Sequence, residues 1–248
     1  MSSLSQNESK PIQEYSNNLN NLDDYSVIES LNANLDVISS CGVNEEFYLV
    51  NIFKKLLEFF TNKDKRKYQL VYEVEKAIIL KVNKWLCCDI ANILKEMITN
   101  NPIKGQQEYG FKLLNVLIKN SPEQISTNMT ELIPIITNNV GSPIKEVKDN
   151  SFKCLKTLLN CSGNMDLNPF IPVVLDALVN PSNIPSSVEK LAGCIFVQNV
   201  EAPALAVTTP ILIKGLNDRK TETKRKCCVI IDNMCKLVEH PKEIISFS

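Results

Sequence analysis

The sequence predicts an all-α fold, a right-handed solenoid of about five antiparallel helix pairs. Three observations carry this. Apolar residues recur at three- and four-residue spacing along most of the chain, as in Cys227, Ile230, Met234 and Leu237, which marks helices with one buried face. The text also repeats itself at a regular period. Finally, 7 Gly and 6% aromatics in 248 residues give little support to a sandwich or barrel of short strands.

The repetition is visible in both helices of a pair. Pro134, Pro172 and Pro210 are evenly spaced along the chain, two of them as Ile133-Pro134 and Ile171-Pro172. A proline inside a helix removes one backbone hydrogen bond and bends it, so the even spacing predicts a repeated bend. The run PIKGQQEYGFKLLNVL from Pro102 aligns with PIKEVKDNSFKCLKTL from Pro143 at nearly the same offset. In that frame Gly110, Ser151, Ala192 and Cys227 recur as small residues, where two helices of a pair approach closely. Two helices per unit of about 40 residues is the HEAT/armadillo signature, and each pair is expected to bury its stripe against its neighbours.

In order along the chain, residues 1–21 are rich in Ser, Asn and Gln and are expected to be a mobile tail, with the repeat domain spanning 22–248. Asp23 to Ser40 reads as a first helix striped by Val27, Ile28, Leu31, Leu35 and Ile38, ended by Cys41-Gly42. Asn44 then caps a helix carrying Phe47, Val50, Phe53, Leu57 and Phe60. Tyr68 to Lys81 returns with Val71, Val74, Ile78 and Ile79 inward, giving a pair over about 44–82. Further pairs are expected over about 84–120, 123–160, 166–200 and 203–240. Within the last, Asn217 or Asp218 is the expected N-cap and Pro241 the stop. Lys242 to Ser248 reads as the start of another first helix, so the chain is expected to be a piece of a longer protein.

The composition excludes several functions. Nine Cys in an odd count, without C-x-x-C, read as reduced thiols filling apolar positions of a cytoplasmic protein. Cys154, Cys194, Cys227 and Cys235 are expected inside. His240 is the only histidine, so no metal site is expected. No Gly is followed by Lys-Ser or Lys-Thr, and no G-x-G or G-x-S-x-G occurs. These gaps leave no nucleotide fingerprint or serine elbow, so no catalysis, cofactor or small-molecule substrate is expected. No apolar run approaches the about 20 residues of a membrane span.

What remains is surface. The formal charge of −1 hides two basic clusters. One is Lys54, Lys55, Lys63, Lys65, Arg66 and Lys67. The other is Lys214, Arg219, Lys220, Lys224, Arg225 and Lys226, against only Asp218 and Glu222. Basic turns along one edge of a solenoid suit a phosphate backbone, and the competing reading is a solvated charged loop.

The text from Phe196, FVQNVEAPALAVTTPILIKGLNDRKTETKRKCCVIIDNMCKLVEHP, resembles the N-terminal HEAT region of fungal-type translation elongation factor 3. LIKGLNDR and CCVIIDNMCKLVE are its specific part, and MTELIPIITNN and NPFIPVVLDALVNPSNIP look like the two preceding repeats. The likeness covers about Asn120 to Pro241, and residues before Lys84 match in helical character. That family couples ATP hydrolysis in two C-terminal cassettes to release of deacylated tRNA from the ribosome. The resemblance implies that this chain is a ribosome-docking module without the motor, meeting small-subunit rRNA and ribosomal proteins. The alternative is a protein–protein scaffold or standalone regulator using the solenoid's concave face; a P-loop cassette beyond Ser248 would discriminate.

Overall fold

The computed structural model describes residues 11–18, 26, 28, 29, 32, 35–61, 65–100 and 104–239. All regular structure among them is helical, and the chain divides into two compact units, Met1–Asn120 and Ser121–Ser248. In the first unit these are α1 (Pro11–Asn18), α2 (Leu35–Ser40), α3 (Glu46–Leu56), α4 (Lys65–Lys81), α5 (Cys87–Thr99) and α6 (Lys104–Asn120). In the second they are α7 (Pro122–Ser126), α8 (Met129–Val140), α9 (Lys145–Leu159), α10 (Ile171–Val179), α11 (Ile184–Leu191), α12 (Ala202–Leu216) and α13 (Thr221–Cys235).

In the first unit α3 packs on α4, α5 on α6, and α4 on α6. The buried stripe of α3 is Leu49, Ile52, Phe53 and Leu56, continued by Phe60. This corrects the expected stripe: Phe47 is 67% exposed. Leu49 and Ile52 sit between the aromatic residues that suggested the face, and they rotate it away from Phe47. Phe60 then stacks on Tyr109 of α6 at 4.8 Å between ring centroids, with Tyr68 and Tyr72 of α4 edge-on to Tyr109 at 5.5 and 5.7 Å. Such pairs contribute about 0.5–1.5 kcal/mol each beyond their buried area.

Within residues 1–21, Pro11–Asn18 form α1. Ile12 of α1 is buried, α1 packs on α3, and Lys55 Nζ donates to the Ser16 carbonyl at 2.8 Å. One apolar residue and one backbone acceptor thus anchor a polar stretch. The remainder of the 1–21 tail lies outside the described residues, as do Val27 and Leu31, Pro241, His240 and the start of a helix at Lys242.

In the second unit α8 pairs with α9, α10 with α11, and α12 with α13. Small residues open the close approaches, as expected. Ser151 and Cys227 are buried, and a Cβ on Gly110, in the first unit, would lie 2.9 Å from Ile98 Cγ1 across the α5–α6 pair. Ala192, by contrast, is only half-buried, at the C-cap of α11.

The three prolines are not equivalent. Pro134 and Pro210 lie inside α8 and α12, but Pro172 is the second residue of α10. There a missing N–H costs no intrahelical bond, so the expected third bend is absent. The short α10 also alters the stacking. Helix α12 packs on α8 as well as on α10, because the 9 residues of α10 leave part of α8 uncovered. Contacts in this unit therefore reach past the nearest repeat.

Helix α11 ends at Leu191, short of the end near residue 200 expected for this pair. The Asp166 carboxylate accepts hydrogen bonds from the Val197 and Gln198 amides at 2.7 and 2.8 Å, holding 194–200 as a loop. Those bonds keep the Asp166 carboxyl below its usual range.

The thiols are all free. Cys154, Cys194 and Cys227 are buried, but Cys235 is exposed. It follows Met234, which takes the inward position, and one residue turns a helix by about 100°. Burial pushes the Cys194 and Cys227 thiols up to about 11 and Cys154 further. Since the thiolate is the reactive form, a disulfide reagent at pH 8 should label Cys228 and Cys235 rapidly in the native protein. Cys154 should wait for denaturant. Rapid native labelling of Cys154, read by mass spectrometry, would contradict this packing.

Candidate nucleic-acid interface

The basic residues near the C-terminal end are carried by the α12–α13 pair. Helix α12 delivers Lys214 in its last turn and stops after Leu216, where Asn217 is the C-cap. Asp218 Oδ1 accepts from the Lys220 amide at 2.8 Å and shapes the turn. The N-cap of α13 is Lys220, with no side-chain cap bond. This corrects the expected cap at Asn217 or Asp218: Asp218 orders the turn before the helix instead of capping it.

The inward stripe of α13 is Thr223, Cys227, Ile230 and Met234. It fixes the direction of everything else on the helix. Lys220, Lys224 and Arg225 are exposed, as are Lys214 and Arg219. None of these five side chains makes an ion pair among the described residues.

Lys226 differs. Its Nζ lies 2.8 Å from Glu189 Oε1 of α11 and 2.9 Å from Glu222 Oε1. Both contacts hold its ammonium above the usual lysine range, and Lys226 in turn holds Glu189 below the carboxylate range. Lys226 is therefore neutralised locally and links α13 to α11. The sequence shows Glu222 four residues before Lys226, a standard helical pair. Glu189 is far back in the chain, and only the packing of α11 on α13 reveals it.

The placement of these charges runs against helix electrostatics. A helix N-terminus carries a partial positive charge and favours acids. Here Lys220, Lys224, Arg225 and Lys226 crowd the start of α13, with Glu222 the only acid in its first turn. Cations thus stand at the end of the helix whose partial charge is already positive, an arrangement that favours an anionic partner.

Of the second basic cluster, Lys54 is exposed. Lys55 is committed to the Ser16 carbonyl, and Lys67 also has a partner. Lys63 and the side chains of Lys65 and Arg66 lie outside the described residues. Among the described residues no acid, thiol or imidazole group is arranged to hold a metal ion, and no helix is long and apolar enough to cross a membrane.

Residues 3–155 match the family model described as EF3 N-terminal HEAT repeat, and residues 183–248 match Elongation factor 3/GNC1 HEAT repeat. The chain is 31% identical over 220 residues to elongation factor 3 of Pneumocystis carinii, covering 88% of this chain and 21% of that protein. It is 33% identical over 208 residues to elongation factor 3 of Phytophthora infestans (84% and 20%), and 31% over 214 residues to elongation factor 3A of Saccharomyces cerevisiae (84% and 20%). It thus spans about a fifth of the length of these relatives. The likeness reaches well ahead of Lys84, where the residues alone suggested only shared helical character. Paired helices in each unit and family matches toward both ends lead to one conclusion: the chain belongs to the elongation factor 3 HEAT-repeat family.

Proposed function

We propose that this helical repeat region is a ribosome-docking module of an elongation factor 3-like translation factor, working in the cytoplasm. Its partners are small-subunit rRNA and ribosomal proteins, and Lys214, Arg219, Lys220, Lys224 and Arg225 meet the phosphate backbone. The observation that carries this is the set of five exposed, unpaired cations gathered at one turn, against the preference of the helix they begin. Local rules of this kind are broken most often where function requires it. Such contacts read charge and position and carry no base identity. Lys226 holds the surface in place and does not contact RNA.

The test is co-sedimentation with small ribosomal subunits over a salt series. Changing Arg219, Lys220, Lys224 and Arg225 together to Glu should weaken binding at least tenfold at about 0.1 M salt. It should also flatten the salt dependence, since each lost phosphate contact removes a slope of about 0.7–0.9. Far-UV circular dichroism should be unchanged, because surface substitutions move stability by about 0.5 kcal/mol. Equal binding by the folded variant at every salt concentration would reduce these residues to a solvated face.

A further inference from the structure

The second unit carries a surface of opposite charge at the other end of α12 from the basic turn. The 15 residues of α12 hold the two about 22 Å apart. Two loops meet there, 160–167 and 192–201. The Asp166 carboxylate, which takes the Val197 and Gln198 amides, fastens one to the other. The Met165 amide donates to Gln198 Oε1 at 3.1 Å, Asn164 Nδ2 to the Asn199 carbonyl at 3.3 Å, and Cys194 Sγ to the Asp166 carbonyl at 3.3 Å. Each loop is thus ordered by the other, yet together they hold three apolar side chains out in water. Met165 is 67% exposed, Ile195 80% and Val197 73%. Fixing them in the free chain lowers the ordering cost of binding a partner.

Val197 also lines a cavity of about 400 Å³, with Ser162, Gln198 and Glu201 among its walls. Two of these groups lack a partner. Ser162 is 3% exposed, and its Oγ has no hydrogen bond. A buried hydroxyl left in this way is uncommon in folded proteins. Glu201 is exposed; it is the N-cap of α12 but its side chain makes no cap bond, and it has no ion pair among the described residues.

The charges beside the cavity are all negative. Glu201 is joined by Asp166 and by Glu239, which accepts from Asn199 Nδ2. Neither loop contains a lysine or an arginine. The cations nearest in sequence are directed elsewhere. Lys156, in the last turn of α9, lines the groove against α10; Lys190 acts on Asp176; and Lys236 pairs with Asp232 at 2.6 Å. Backbone amides, not a cation, stabilise the Asp166 carboxylate.

We propose that this surface docks a basic segment of a partner protein, with one arginine entering the cavity and aliphatic neighbours lying on Met165, Ile195 and Val197. The guanidinium donates to the Glu201 carboxylate and to Ser162 Oγ, giving the hydroxyl the bond it lacks in the free chain. Arginine suits the cavity better than lysine, because its flat fork reaches two acceptors at once. Three carboxylates repel a phosphate chain, so the occupant is a polypeptide. The proposal stands whether or not the α12–α13 turn binds rRNA.

The probe is a fluorescein-labelled twelve-residue peptide with three Arg and three Leu among Ser and Gly, titrated with the whole chain by anisotropy at about 0.1 M salt. Binding is expected, at least tenfold tighter than for the same peptide with Glu in place of Arg or Ser in place of Leu. Glu201→Lys and Ile195→Ser should each weaken it at least tenfold. Both side chains are exposed, so far-UV circular dichroism should be unchanged. Ser162→Ala is the sharper test, since it removes a hydroxyl that bonds to nothing in the free chain. Its stability should hold or rise while peptide affinity falls at least threefold. Asp149→Asn, at an exposed acid of α9, should bind like the wild type. Equal binding of the Arg and Glu peptides, an equal loss in Asp149→Asn, or binding unchanged by Glu201→Lys and Ile195→Ser overturns the proposal. Undiminished affinity in Ser162→Ala overturns the placement of arginine in the cavity. Self-association of the chain that Ile195→Ser abolishes, with no peptide binding, overturns the choice of partner.

Discussion

Gly215→Ala should destabilise the second unit by about 1–2 kcal/mol, although alanine is the better helix former. Gly215 lies in the last turn of α12, and a Cβ there would sit 2.5 Å from Cys227 Sγ and 3.1 Å from Val188 Cγ2. Cys227 is fully buried on α13 and Val188 on α11, so neither neighbour has open space to move into. Overpacking of this kind costs about 1–3 kcal/mol, while replacing glycine inside a helix returns about 1 kcal/mol. The clash wins because it strikes two buried groups on two helices. Gly215→Val should cost more, adding two methyl groups and a stiff β-branch. The check is the urea midpoint by far-UV circular dichroism, completed as a double-mutant cycle with Cys227→Ala. Removing the sulfur makes room for the new methyl, so the double variant should be more stable than the two single losses predict by about 1 kcal/mol or more. Additive losses would show that α12 and α13 do not meet at this pair.

The same pair shows what was legible beforehand. Cys227, Ile230 and Met234 could be assigned to one face from spacing alone, and all three are buried. The small side chain of Cys227 was legible as a close approach, but its counterpart Gly215 was not, because which residue faces it depends on how α12 lies on α13. Cys235 sits next to Met234, and a search for apolar residues near the right spacing accepts either. The basic turn was legible as composition. The loss of Lys226 to Glu189 was not, since the bond joins helices of different pairs. Pro172 illustrates a boundary problem: its period matches Pro134, but the 3-10 turn Asn168–Phe170 delays the start of α10, and the proline falls at a helix start where it bends nothing.

Glu75→Leu should stabilise the first unit at neutral pH, by about 2 kcal/mol or more, and should remove a pH dependence from its stability. A stripe drawn through the apolar residues of α4 skips this position. Yet Glu75 stands four residues after Val71 and four before Ile79, which places it on the buried face. It is fully buried, and neither carboxyl oxygen has a hydrogen-bond partner. Desolvation alone holds its carboxyl well above the usual 4.5, because an ion in an apolar site has nothing to replace its water. The direction of the pH effect follows from proton counting. Below about pH 4.5 the group is protonated in both states and costs only a buried, unpaired carboxyl, about 1–3 kcal/mol. As pH rises through the unfolded value, the unfolded chain releases the proton and the folded chain keeps it. Stability then falls by up to about 1.4 kcal/mol per pH unit until the folded group also ionises. The wild type should therefore lose urea resistance between pH 5 and 7.5 relative to Glu75→Leu, whose side chain has nothing to titrate. Glu75→Gln separates the two contributions: it should abolish the pH-dependent part while retaining most of the cost of an unpaired polar group. Parallel stability curves for wild type and Glu75→Leu from pH 5 to 7.5 would mean that Glu75 is ionised in the folded protein and compensated there.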